Sequence, residues 1–130
     1  ETMAVRLAVQ NINSAYLAEM EEAIKQEEQA LRSGDFEEYL GVNEEFHRII
    51  AELSGNSVLQ DFIKNCIARI SIYTVFTEPP VEEIIRTSLA EHKEILNAIK
   101  ERDVNRAEKA MEEHIVNTLN SLLLHDKKSD

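Results

Sequence analysis

The sequence predicts an all-α fold, an antiparallel bundle of about six helices. Three observations support this prediction. Apolar residues recur at helical spacing along almost the whole chain. The 130 residues include only three glycines and two prolines, too few for the turns of a β-sandwich or barrel. The length fits one domain, and no stretch has the composition of an interdomain linker.

Helix-ending and helix-capping residues divide the first half of the chain. The Asn-Ile-Asn-Ser stretch that ends at Ser14 separates the first two helices and supplies a side-chain cap. Gly34 ends the second helix, and Asp35 can cap the third. These signals predict helices over residues 2–10, 14–32 and 36–53.

The second half of the chain is divided in the same way. Glu78-Pro79-Pro80 interrupts the helical pattern, and Asp103 is a candidate cap. We expect helices over residues 57–75, 81–100 and about 103–124, followed by a polar tail. The fourth helix is the most apolar segment, and it is therefore predicted to be the central and most buried helix.

The net charge of −11 disfavours several classes of function. An acidic surface repels phosphate, so the chain itself is a poor candidate for contacting nucleic acid. No apolar run approaches the roughly 20 residues that span a bilayer, and the start at Glu1 looks like a cut edge rather than a leader. The single cysteine, Cys66, excludes an internal disulfide and is compatible with a reducing compartment. We therefore expect a cytoplasmic protein.

Three of the four histidines fall on or beside the apolar stripes of three different helices. They are His47, His92 and His114, and Asn43 lies one turn before His47. A single buried histidine is commonly satisfied by a backbone carbonyl or a water. A divalent metal would satisfy all three together, with the Asn43 oxygen as a fourth ligand. Periodicity cannot show that the rings converge, so both interpretations stay open here.

Three other groups of residues are weaker candidates for a metal site or a catalytic site. Glu44-Glu45-Phe46-His47 contains the Glu-x-x-His spacing of di-iron bundles, but neither His92 nor His114 has a glutamate three residues earlier. Cys66 lies among apolar neighbours, where a thiol is unreactive. The glutamate pair Glu27-Glu28 is predicted to lie on a solvated face.

Arg69 falls on the same line of the fourth helix as Phe62, Cys66 and Tyr73. Such an arginine can extend to solvent or pair with a glutamate. It can also be a fixed cation inside the bundle that holds a ligand carboxylate through two parallel hydrogen bonds. On the second interpretation, Arg69 and Tyr73 are the candidate ligand-binding residues.

Several short motifs together resemble a known family. They are Asn43-Glu44-Glu45-Phe46-His47, Leu53-Ser54-Gly55-Asn56, Glu91 to Ile99, Arg102-Asp103, Ala107, Met111 and His114-Ile115. Their order and spacing are similar to those of the FCD ligand-binding domain, the C-terminal half of FadR-type GntR transcription regulators. The resemblance covers essentially all of residues 1–130 as one effector-binding and dimerisation domain, without the winged helix-turn-helix DNA-binding domain.

The resemblance implies a bundle that holds zinc or nickel through Asn43, His47, His92 and His114. It also implies that the domain senses a small organic acid, and that a homodimer contacts DNA only through the missing winged-helix domains. Asn43 stands where the family more often has aspartate. A neutral ligand set leaves the charge of the ion uncompensated, which favours an anionic ligand such as a carboxylate.

Two other functions stay open from the sequence. A metal-dependent hydrolase or lyase can use three histidines and an open metal position to activate water. That alternative lacks a general base, because periodicity assigns no inward carboxylate beside the histidines. The second alternative is a purely structural bundle with three satisfied histidines.

Overall fold

A computed structural model describes residues 1–76 and 81–126, without the side chains of Val81 and of residues 124–126. The described residues form six α-helices: α1 (Thr2–Asn11), α2 (Ser14–Ser33), α3 (Phe36–Leu53), α4 (Ser57–Phe76), α5 (Val81–Lys100) and α6 (Val104–Asp126). The all-α prediction is confirmed, and every helix end lies within two residues of its predicted position. The predicted break at Glu78-Pro79-Pro80 and the predicted tail from Lys127 lie outside the described residues. In the described part of the chain, no helix has the length and apolarity that crossing a membrane requires.

The helix ends follow the capping signals. Gly34 adopts a left-handed conformation (φ 69°) at the end of α2, and the Asp35 side chain caps α3. The predicted cap from the Asn-Ile-Asn-Ser stretch is also confirmed, and the residue that supplies it is Asn13. Its side-chain oxygen accepts a hydrogen bond from the backbone N–H of Tyr16 at 3.1 Å.

The short helix α1 lies at the centre of the bundle. It contacts α3, α5 and α6, while α2 packs on α3 and α5, and α5 packs on α6. Ala4, Val5, Ala8 and Val9 of α1 are at most 2% exposed. Their small side chains allow three other helices to approach the same short segment.

Helix α4 is not the central helix that its composition predicts. It packs mainly on α3, and all of its residues are described, of which four are buried: Ile63, Ile67, Ser71 and Thr74. Phe62, which shares a line of the helix with Arg69, is 68% exposed. The buried side of α4 therefore follows Ile63, Ile67, Ser71 and Thr74 and not the line of Phe62 and Arg69. An almost uniformly apolar helix lacks a polar stripe that would mark its solvent side.

Candidate metal centre

The three predicted inward histidines meet in the core of the bundle. His47 comes from α3, His92 from α5 and His114 from α6, and each is at most 3% exposed. The Nε2 atom of His114 lies 3.2 Å from Nε2 of His92 and 3.2 Å from Nε2 of His47. The fold thus supplies the convergence that periodicity alone could not establish.

A glutamate contacts the outer nitrogen of each ring. The pairs, with their Nδ1–Oε2 distances, are His47 with Glu1 (2.5 Å), His92 with Glu27 (2.8 Å) and His114 with Glu91 (2.6 Å). A carboxylate in this position accepts the Nδ1 proton and fixes the ring orientation. The Nε2 lone pair is then the one that can bind a metal.

The spacing of the three Nε2 atoms suits a single ion. Two nitrogens bound to one metal at about 2.1 Å are roughly 3.0 Å apart in octahedral geometry and about 3.4 Å apart in tetrahedral geometry. The observed 3.2 Å lies between these values. With each Nδ1 donating to a carboxylate, the Nε2 lone pairs face one another, and a cation between them removes their repulsion. The three histidines can therefore hold a metal ion.

Burial favours the neutral form of His92 and His114, which is the form that binds metal. Desolvation lowers the pKa of His92 well below its ordinary value, and the charges of His114 and His47 act in the same direction. Desolvation also lowers the pKa of His114, although Glu91 opposes this change.

Glu27 contradicts the prediction of a solvated face, because it is 1% exposed. Burial raises the pKa of its carboxyl to about 8. Its Oε1 atom makes no hydrogen bond within the described residues. The sequence did contain a signal for this position, since Glu27 continues the apolar stripe of α2 at helical spacing from Met20 and Ile24.

Periodicity assigned no inward carboxylate beside the histidines, but the structure places glutamates there. Glu1 reaches the cluster from the position just before α1, and Glu91 reaches it from α5. Burial alone would raise the pKa of Glu1, but the charge and hydrogen bond of His47 outweigh it and lower that pKa. Neutral Asn43 consequently does not leave the charge of an ion wholly uncompensated, because the carboxylates of Glu1 and Glu91 lie beside the rings.

A cavity of about 260 Å³ opens beside the cluster, and His47, His114 and Asn43 line it. Asn43 therefore shares the cavity with two of the histidines, and its role as a metal ligand stays a prediction. Arg69 and Tyr73 are exposed and are not part of the cavity wall. Of the two interpretations of Arg69, its exposed position fits the one in which the side chain extends to solvent, and a ligand-binding role for Arg69 and Tyr73 stays a prediction.

Comparisons with known proteins agree with this architecture. The profile of the FCD domain family matches residues 1–117. The HTH-type transcriptional repressor NanR of Klebsiella aerogenes is 28% identical over 120 residues, which cover 88% of this chain and 44% of the relative. The HTH-type transcriptional regulator McbR of Escherichia coli K12 is 32% identical over 109 residues, which cover 79% and 47%. The chain thus spans less than half the length of these curated relatives.

The fold matches a solved structure as well. The structure of E. coli McbR/YncC superposes with a TM-score of 0.85 at 25% identity, covering 95% of this chain and 62% of that chain. The matched relatives are transcription regulators, which agrees with the expectation that the chain is not an enzyme. They give the hydrolase or lyase alternative no support.

Proposed function

Since the chain belongs to the FCD domain family, we propose that it is the effector-sensing, metal-binding domain of a cytoplasmic GntR-family transcription regulator. The observation that carries this proposal is the cluster of three buried histidines at the wall of a cavity. DNA is contacted by a winged helix-turn-helix domain in a longer protein. The net charge of −11 supports this division, because it opposes a direct contact between the chain and phosphate.

The proposed metal is zinc or nickel, bound by His47, His92, His114 and Asn43. The support is the 3.2 Å spacing of the Nε2 atoms and the carboxylate on each Nδ1. Histidine nitrogens and an amide oxygen suit both metals. When bound, the ion supplies an electrophilic centre for a ligand carboxylate.

The proposed effector is a small organic acid in the cavity beside the histidines. The volume of about 260 Å³ is slightly below the roughly 300–1,000 Å³ of sites for drug-sized ligands. Residues from α3, α4, α5 and α6 line it, for example Asn43, Ser71, Thr87 and Thr118. A ligand that contacts four helices can shift them relative to one another, which gives it a physical route to the rest of a regulator.

We also propose that two copies associate through an apolar face formed by α4 and α6, called here the α4–α6 face. Its exposed members are Val58, Phe62, Ile70, Ile72, Tyr73, Val75, Phe76, Ile115, Val116, Leu119 and Leu123. Nine of these eleven residues lie in segments 70–76 and 115–123, which contain no charged residue. In a chain of charge −11, two copies meet here with the least repulsion.

Elemental analysis of the purified chain tests the metal directly. We expect one zinc or nickel ion per chain, lost in His114→Gln and retained in the control Lys109→Gln, an exposed position on the same helix. Equal metal content in the two variants, or no metal in the unmodified chain after incubation with zinc and nickel, would contradict the proposal. In the longer regulator, a bound effector should change the affinity for operator DNA in a mobility-shift assay.

A further inference from the structure

His92 is held differently from the other two histidines of the cluster. His47 and His114 line the cavity, whereas His92 is 0% exposed and is not among the residues of the cavity wall. The Phe46 ring stacks on the His92 ring with their centroids 4.2 Å apart, which fixes the plane of the imidazole. A flip of the ring by 180° keeps this plane but puts a carbon atom in the place of Nε2. The orientation that can bind a metal therefore depends on the hydrogen bond between Nδ1 and Glu27 at 2.8 Å.

The Glu27 carboxyl is itself held by two groups of one helix. It reaches from α2 to α5, where Ser88 lies one turn before His92 on the same face. The Ser88 side chain, which is 6% exposed, is a hydrogen-bond partner of the Glu27 carboxyl. A carboxylate only accepts hydrogen bonds, so the Ser88 hydroxyl donates to it. Bonds from two successive turns of α5 restrict the rotation of the carboxyl group.

Tyr39 of α3 adds a further hydroxyl to this network. Its side chain is 5% exposed, and it is the second hydrogen-bond partner of Ser88. Burial raises the pKa of the Tyr39 hydroxyl, so this group keeps its proton and can donate. Because Ser88 uses its own proton for Glu27, its oxygen can accept from Tyr39. Tyr39 and Ser88 line the cavity, so the network extends from the cavity wall to the one histidine outside that wall.

We propose that Ser88 and Tyr39 are positioning residues for the metal centre, which act on His92 through Glu27. This inference rests on the proposed function, because it requires that His92 binds a metal. Tyr39 donates to Ser88, and Ser88 donates to Glu27. Glu27 in turn accepts the Nδ1 proton of His92. Since α2, α3 and α5 each supply a member, the folded bundle orients the ring before an ion arrives.

The zinc affinity of hydroxyl variants is the first test. In competition against a zinc indicator, Ser88→Ala should bind zinc about three- to tenfold more weakly, and Tyr39→Phe about two- to threefold, because each loses one net hydrogen bond. Ser88→Thr keeps the hydroxyl, and the cavity beside it has room for the added methyl group, so its affinity should stay within about twofold. Equal zinc affinities of Ser88→Ala and Ser88→Thr would overturn the proposal.

Tyr16→Phe is the matched control for Tyr39→Phe. Tyr16 is a partly buried tyrosine on α2 outside the cavity wall, and loss of its hydroxyl should leave zinc affinity unchanged. Equal losses in the two variants would show that the effect of Tyr39 does not come from its position in the network, and Tyr39 would then not be a positioning residue.

A double-mutant cycle separates positioning from a purely structural role. If Ser88 acts through Glu27, Ser88→Ala should change zinc affinity by less than about twofold when Glu27→Gln is already present. A structural role predicts the same loss in both backgrounds, and that result would overturn the proposal. The same cycle with Tyr39→Phe gives an independent result, since this variant removes only a hydroxyl. Thermal melting of the chelated variants confirms that each one is folded.

This inference and the proposed function fail in different ways. A chain that binds zinc equally well with Ser88→Ala and with Ser88→Thr retains the metal-binding function and loses only the positioning role. A chain that takes up neither zinc nor nickel loses both, because Glu27 and Ser88 then have no metal ligand to orient.

Discussion

The histidine cluster and the α4–α6 face depart from the usual distribution of residues in opposite directions. The cluster buries His47, His92 and His114 with Glu27, where apolar side chains are expected. The face exposes large side chains such as Phe76, which is 81% exposed, where polar ones are expected. A buried polar group and an exposed apolar patch are the two observations that carry functional information.

The comparison shows that both regions are incomplete without a partner of matching chemistry. In the cluster, three Nε2 lone pairs converge, and a cation is the partner that satisfies them. For the α4–α6 face, the matching partner is a second apolar surface. Helix α4 contributes to both regions, with Ser71 and Thr74 toward the cavity and Ile72 and Phe76 on the other side. A ligand in the cavity can therefore influence the face.

Metal removal is the strongest way to test this comparison. A strong chelator should lower the stability of the chain by about 3–4 kcal/mol when the metal had been present at a hundred to a thousand times its dissociation constant. The physical reason is that the ion binds the assembled histidines and not the unfolded chain. Thermal melting with and without chelator measures the effect.

The chelator experiment has a matched control in His114→Gln. That variant lacks one of the three nitrogens, so its melting temperature should not respond to chelator. A chelator effect of the same size in His114→Gln would show that the stabilising ion binds elsewhere.

A charge on the α4–α6 face should separate two copies. We expect Phe62→Glu to weaken self-association by at least about thirtyfold, since central apolar residues of an interface contribute roughly 2 kcal/mol or more. The stability of a single chain should change by about 0.5 kcal/mol at most, because Phe62 is 68% exposed. Sedimentation of the longer regulator measures association.

Gln29→Glu is the control for the added charge, because it introduces the same charge at an exposed position of α2, outside the α4–α6 face. Equal association of the two variants would place the dimer contact on another surface.

The sequence predicted the helices well because their ends depend on local chemistry. Gly34 and Asp35 specify a helix end and start through their own backbone conformation and side chain. The inward direction of His92 was also readable, because polar residues mark the other sides of α5. These features need only a few neighbouring residues.

The features that sequence reasoning missed depend on contacts between helices. Glu1 and Glu91 meet histidines that are 46 and 23 residues away in the chain, and no local pattern specifies such pairs. Glu27 lies in a helix rich in glutamates, which are usually exposed. Its position on the apolar stripe of α2 was therefore overlooked. The buried side of α4 could not be predicted because apolar residues occur on all sides of this helix.

Glu27 tests whether the buried carboxylates belong to the metal site. Glu27→Gln keeps the size of the side chain and removes the acceptor that orients His92, so we expect zinc affinity to fall by about 10–100-fold. The chelated protein should lose no stability, because the carboxyl is buried without full hydrogen bonding and burial raises its pKa to about 8. Competition against a zinc indicator, together with melting of the chelated protein, gives both quantities.

The control is Glu19→Gln, an exposed glutamate on the same helix. A loss of stability in chelated Glu27→Gln with zinc affinity unchanged would identify Glu27 as a structural residue instead of a positioning residue for His92.

The smallest expected effect concerns Asn43, which lines the cavity with His47 and His114. Asn43→Asp exchanges a neutral oxygen ligand for an anionic one, so zinc should bind more tightly, while acetate should bind more weakly because less charge is left for it. We expect each change to be about three- to tenfold, close to 1 kcal/mol. The effect is modest because the carboxylates of Glu1 and Glu91 already oppose the charge of the ion. Zinc competition and acetate calorimetry measure the two changes, with the exposed Asn97→Asp as the control. Equal zinc affinities in the two variants would show that Asn43 is not a ligand, and a cluster of three histidines alone would then hold the ion.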